Sequence, residues 1–156
     1  MNETRNALVI EGYASLFFKR DLAGDTVLPG AFASSVAKRG AKGIRMLFQH
    51  DADEPVGVWE QVFEDENGLF VRGTLTADGP RGRTALALAR RGSVDGLSIG
   101  FRTRQAVPNA KGRELTEIDL WEVSIVTFPM LPQARFHRVG DRNPAVAGPL
   151  SLTQAG

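Results

Sequence analysis

Gly96-Leu97-Ser98-Ile99-Gly100-Phe101-Arg102-Thr103-Arg104 is the stretch on which the fold turns, because its first five residues spell G-x-S-x-G. That pattern marks a nucleophile elbow only where a strand ends in a sharp turn into a helix, thrusting the serine out at the head of an α/β-hydrolase sheet. Here Arg91-Gly92-Ser93-Val94-Asp95 reads as a loop and the residues after Gly100 alternate, so the stretch predicts a strand. Leu97, Ile99 and Phe101 then share one face, toward the core, and Gly96, Ser98 and Gly100 share the other. With glycine on both sides at i±2, the Ser98 hydroxyl stands in a shallow opening through which a peptide backbone could approach. Taken alone, the same glycines are explained by a bend of the sheet and Ser98 by an ordinary surface hydroxyl.

Outward from this stretch, strand signals dominate. β-Branched and aromatic residues bounded by turn residues predict strands over 8–18, 44–50, 56–63, 68–76, 96–103, 113–121 and 122–128. Asp65-Glu66-Asn67-Gly68 predicts a hairpin turn in which Asn67-Gly68 supplies positive φ. Two helices interrupt, over 29–39 and 80–91, each opened by proline and stopped by Gly40 or Gly92. The expected fold class is mostly β with α (α+β): an antiparallel, closed or nearly closed β-barrel of about seven strands with flanking helices. Glycine at 17 of 156 residues, above the usual ~7%, agrees with a turn-rich β protein. A chain of this length is one ordinary domain, expected over residues 1–137. Residues 138–156, rich in Gly, Pro and Ala with few large apolar side chains, are expected to form a flexible C-terminal tail.

Composition removes several classes of function. Nineteen Lys and Arg against 18 Asp and Glu give a net charge of +1, without the basic surplus by which a nucleic-acid binder neutralises phosphates. With no cysteine there is no thiol nucleophile, cysteine zinc site or iron–sulfur cluster. Apolar runs such as 7–10 are far short of the ~20 residues a membrane helix needs. Residues 1–6 hold no apolar signal core, so a cytoplasmic site of action is expected.

Two histidines make the search for chemistry short. His50 follows Ile44, Met46 and Phe48 at period two and ends a strand where Asp51-Ala52-Asp53-Glu54-Pro55 begins a loop, a rigid yet reachable place. His137 stands just before the expected tail and reads as a solvated imidazole. His50, Asp51, Asp53 and Glu54 are all ligand types, but Asp51 points away on alternation. No second histidine is near and no H-E-x-x-H or EF-hand spacing occurs, so neither a metal nor a cofactor is expected. Glu122 breaks an apolar strand running from Leu120 through Val126. There it is either a solvated carboxylate or the acid that orients a histidine. Ser124, on the same face, is a rival nucleophile without flanking glycines. The order Ser98…Asp119…His137 also matches that of an α/β-hydrolase triad, though the chain is too small for that fold.

Taken together and in order, the motifs resemble a known family. Arg20-Asp21 with Gly24-Asp25, Pro29-Gly30-Ala31-Phe32, Leu47-Phe48-Gln49-His50-Asp51, Pro55-Val56-Gly57, Gly96-Leu97-Ser98-Ile99-Gly100-Phe101, Leu120-Trp121-Glu122-Val123-Ser124 and Phe128-Pro129 look like the prohead proteases of tailed bacteriophages. The resemblance runs from about residue 11 to 134. It implies a serine protease related in fold to the herpesvirus assemblins, with residues 1–137 as the protease domain. Such an enzyme cuts scaffold or capsid-protein extensions, and itself, inside the immature capsid in the cytoplasm of the bacterial host. The major capsid protein and scaffold segments are then its peptide substrates and self-association is open to it, with no nucleic acid or membrane partner. By the same resemblance Ser98 is the nucleophile and His50 the general base. The third member is placed at Glu122, where herpesvirus relatives use a second histidine. Two other readings stand beside this one: a non-catalytic capsid- or scaffold-binding barrel, and an unrelated serine esterase using Ser98 and His137.

Overall fold

The computed structural model describes residues 6–141. In chain order these form β1 (Ala7–Leu16), β2 (Asp25–Val27), α1 (Ala33–Gly43), β3 (Arg45–Phe48), β4 (Gly57–Glu64), β5 (Gly68–Thr76), α2 (Pro80–Arg90), β6 (Gly96–Asn109), β7 (Gly112–Val126) and β8 (Phe136–Asp141). All eight strands lie in one sheet, in the order β2-β7-β3-β4-β5-β1-β8, with β6 paired to β7 off that path. The mostly-β expectation with two helices holds.

The closed antiparallel barrel does not. The sheet is mixed, because β2 and β3 both run parallel to β7, against residues 113–115 and 122–125 respectively. The reason is the α1 crossover between β2 and β3: a helix returns the chain to the end of the sheet it left, so the two strands flanking it run the same way. Nor is the sheet closed, since β6 and the approach to β8 share only an isolated bridge, Gly96 with Arg135.

Two further elements depart from expectation. The strands expected over 113–121 and 122–128 are one strand, β7, paired with β6 along its length. A bulge explains why its pattern reads as broken: the register shifts between Gly100 opposite Glu122 and Phe101 opposite Leu120, leaving Trp121 as the extra residue. Leu120, Val123 and Ile125 are thereby all buried while Trp121 is exposed. Ser35 of α1 serves the backbone near the bulge, accepting from Leu120 N (3.1 Å) and donating to Ile118 O (3.3 Å). At the C-terminal end, β8 carries residues 138–141 of the expected tail along the edge of β1; residues 142–156 lie outside the described residues.

The local signals are partly realised. Helix α1 starts at Ala33 rather than at residue 29, and its geometry breaks at Gly40 (φ +69°), where the stop signal stood, before one more turn. Helix α2 takes Pro80 in its first turn, and its end is closed by Gly92 (φ +74°), whose N–H returns to Ala89 O at 3.1 Å. In the hairpin, neither Asn67 nor Gly68 has positive φ. Instead the Asp65 carboxylate accepts their N–H groups at 2.7 and 3.2 Å, an Asx turn that needs no left-handed residue. The core beneath the sheet centres on Trp59, fully buried with its indole N–H donated to Val123 O at 3.2 Å, so that β4 is tied to the middle of β7.

Candidate active site

β3 ends at Phe48, and the next two residues, Gln49 and His50, both have left-handed backbone (φ +54° and +61°). For residues with a Cβ this costs roughly 1–2 kcal/mol each, and the surroundings offset it with hydrogen bonds. Gln49 N donates to Ile125 O (2.9 Å), Asp51 N to Phe48 O (3.1 Å) and His50 N to Ser124 Oγ (3.0 Å). The Gln49 amide side chain also clamps Thr127, donating to its Oγ1 at 2.7 Å and accepting from its N–H at 3.3 Å. This overturns the expectation that His50 continues the face of Ile44, Met46 and Phe48. Those three are buried, whereas the His50 side chain is 45% exposed, because the left-handed pair ends the pleat and turns the imidazole out of the core.

The turn delivers His50 to Glu122. Nδ1 lies 2.5 Å from Glu122 Oε2, and the other carboxylate oxygen, Oε1, accepts the Ser124 hydroxyl at 2.7 Å. A carboxylate on Nδ1 holds the proton on that nitrogen and leaves Nε2 with its lone pair. The hydrogen bond and charge of Glu122 push the His50 pKa above its ordinary 6.5, against the opposite pull of burial. Ser124, a rival nucleophile by sequence, is fully buried with its hydroxyl proton donated to Glu122.

β6 brings Ser98 opposite Ser124 and Gly100 opposite Glu122. Both glycines of the G-x-S-x-G string are required by close approach. A Cβ on Gly100 would lie 2.6 Å from Glu122 Cδ and 2.7 Å from Cγ, and one on Gly96 would lie 2.7 Å from Val126 O and 2.8 Å from Pro129 Cδ. Ser98 and His50 line one cavity of about 200 Å³, whose apolar walls include Leu97, Ile99, Phe101 and Leu131 and whose charged residues are Lys19, Asp21 and Asp25. Asp21 holds its proton more tightly than an ordinary aspartate because it is desolvated, and Asp25 is paired with Arg113 at 2.8 Å. The hydrogen bonds of His50 go to Ser124 and Glu122, and none joins its ring to Ser98 Oγ; catalytic hydrogen bonds of this kind are often long until the Michaelis complex forms.

The structure thus joins His50, Glu122 and Ser124 by hydrogen bonds and sets Ser98 on the same cavity as His50, while Asp119, His137 and the acids after His50 are engaged elsewhere. Asp119 is engaged by the Trp121 indole N–H, Arg39 and Arg104, which lower the pKa of its carboxyl to about 2. His137, on β8, pairs with Glu11 at 3.1 Å, and neither residue lines the cavity of Ser98. Asp51 is paired with Arg81, and Glu54 accepts the Arg81 and Gly82 N–H groups at the start of α2. Among the described residues no three His, Asp or Glu side chains are grouped to hold a metal ion. What sequence reading misses is the part played by Ser124, for which the one signal was its shared face with Glu122.

Residues 1–144 match the sequence profile of the caudovirus prohead serine proteases. This chain belongs to that family. The resemblance read from its motifs is therefore borne out. It is 40% identical over 132 residues to the prohead protease of Enterobacteria phage HK97, covering 81% of this chain and 57% of that relative's length. Among solved structures, the bacteriophage T4 capsid assembly protease superposes with a TM-score of 0.61 at 16% identity, covering 76% of this chain and 80% of the other, so the two share a fold. The KSHV protease, solved with a hexapeptide phosphonate inhibitor, superposes with a TM-score of 0.48 at 14% identity, covering 77% and 59%.

Proposed function

We propose that this chain is a serine endopeptidase that cuts capsid-protein or scaffold segments inside the immature phage capsid, with Ser98 as nucleophile, His50 as general base and Glu122 as the acid that orients it. The observation that carries the reading is the 2.5 Å contact of Glu122 with His50 Nδ1 on the wall of the cavity that also holds Ser98. A serine hydroxyl is a weak nucleophile until a base takes its proton. As Ser98 Oγ attacks the scissile carbonyl carbon, its proton passes to His50 Nε2, and Glu122 stabilises the imidazolium. Collapse of the tetrahedral intermediate breaks the C–N bond, and the leaving amine takes the proton from Nε2. Water then attacks the acyl-enzyme, again losing a proton to His50, and Ser98 is restored as the acid product leaves. The substrate class is supported by family membership and by the names of the HK97 and T4 relatives.

A fluorophosphonate probe tests the reading. Labelling at Ser98 that is lost in His50→Ala is the expected result. No labelling of the wild type would favour a non-catalytic capsid-binding protein, and labelling that depends on His137 would favour an esterase.

A further inference from the structure

His50 N–H donates to Ser124 Oγ at 3.0 Å, Ser124 donates to Glu122 Oε1 at 2.7 Å, and Glu122 Oε2 meets His50 Nδ1 at 2.5 Å. These three contacts form a closed ring that begins at the backbone of His50 and ends on its own side chain. A carboxylate held at one oxygen can pivot; one held at both, by groups fixed to each other, cannot. We propose that Ser124 is the positioning residue of this site, its buried hydroxyl setting the His50 backbone and the Glu122 carboxylate together and so fixing where the imidazole Nε2 points.

The inference rests on the roles proposed above for Ser98, His50 and Glu122, and it explains features those roles do not. Ser124 is fully buried in β7 between Val123 and Ile125, a place where an apolar side chain would pack at no polar cost. The parallel ladder of β3 on β7 ends at Phe48 opposite Ile125, so the amide of His50 lies beyond it, and the left-handed turn sends that N–H back to a side chain. Ser124 Oγ fills the acceptor role there and passes its own proton on to Glu122. The same engagement, with the absence of exposure, removes Ser124 as a nucleophile. Ser124 also stands directly opposite Ser98 in the β6–β7 register, so one cross-strand pair holds both the group that attacks and the group that aims its base.

The test is Ser124→Ala, with Ser124→Cys beside it as a variant of similar volume whose thiol is a poor hydrogen-bonding group. On a peptide substrate, Ser124→Ala is expected to lower kcat by ~10²-fold with KM unchanged, as expected when a catalytic group is misplaced by about 1 Å. Ser124→Cys should fall in the same direction and carries the test if the alanine variant does not fold. A merely structural serine would not move the ionisation of His50. NMR titration of the imidazole, made in a Ser98→Ala background, is expected to show its midpoint falling toward 6.5 as the grip of Glu122 loosens, and the pH–rate midpoint should follow. Folded variants with wild-type kcat and an unmoved midpoint would overturn the assignment. Ser98→Ala with peptidase activity intact would instead sink the reading on which it rests, whatever Ser124 does.

Discussion

Gly100→Ala separates stability from catalysis at this site. The added Cβ would sit 2.6 Å from Glu122 Cδ and 2.7 Å from Cγ, distances that real side chains do not tolerate, so something must move. The backbone of β6 at Gly100 is held in register opposite Glu122, whereas the Glu122 side chain can give way by breaking its hydrogen bonds to His50 and Ser124. The folding cost is therefore that of an overpacked site that relaxes, about 2 kcal/mol, or roughly 4–8 °C in Tm for a domain of this size. The catalytic cost is larger, because a displaced Glu122 no longer holds the Nδ1 tautomer. By analogy with loss of the orienting acid in other serine proteases, kcat should fall by ~10⁴-fold. The assay pairs peptide hydrolysis with thermal unfolding, and Gly92→Ala serves as control: that glycine has φ +74° and no atom within 4 Å of an added Cβ, so strain without displacement should leave kcat unchanged. A folded Gly100→Ala protein with wild-type kcat would refute the argument that Glu122 must occupy this space to orient His50.

Ser98→Ala and His50→Ala should each remove nearly all peptidase activity, ~10⁶-fold, and the double variant should be no worse than either, because both disable one proton-coupled attack; additive losses on single-turnover kinetics would contradict this. With His50 as the proposed neutral base and its pKa raised by Glu122, activity should rise with pH to a midpoint above 6.5, and Glu122→Gln should move that midpoint down; a pH–rate profile flat above pH 6 would exclude His50 as base. The sign for stability is opposite: a raised pKa means the pairing stabilises fully below 6.5 and fades as pH rises through the folded value, so the Tm gap between wild type and Glu122→Gln should narrow on going alkaline. Asp119, depressed from 3.8 to about 2 chiefly by its Trp121 and Arg39 hydrogen bonds, contributes stability above 3.8 that is lost as pH falls to about 2. Asp119→Asn should therefore lower Tm at neutral pH, with the gap to wild type closing as pH falls through about 2, and leave fluorophosphonate labelling intact; loss of labelling would bring Asp119 into the site.

Much of this was readable in the chain because it is local. Period-two patterns give the long strands, proline and glycine punctuate α2, and two histidines with a glycine-flanked serine narrow the candidates to a few residues. The ordered motifs identify the family, since each string keeps its residue types whatever the sheet order. Tertiary structure alone decided the rest. β2 has only three residues, and β8 is a strand of mixed composition that extends because the edge of β1 offers it backbone partners. The left-handed turn at Gln49-His50 has only a weak sequence signal, the tolerance of histidine for positive φ; it is imposed by Ile125 and by Ser124, 74 residues from His50. The Glu122–His50 contact likewise joins residues 72 apart, and Ser124 acquires its role only when β3 and β6 flank β7. Conformational propensity acts over a few residues and so is written in the chain, whereas the hydrogen-bond partner of a buried donor is set by whichever strand packs beside it.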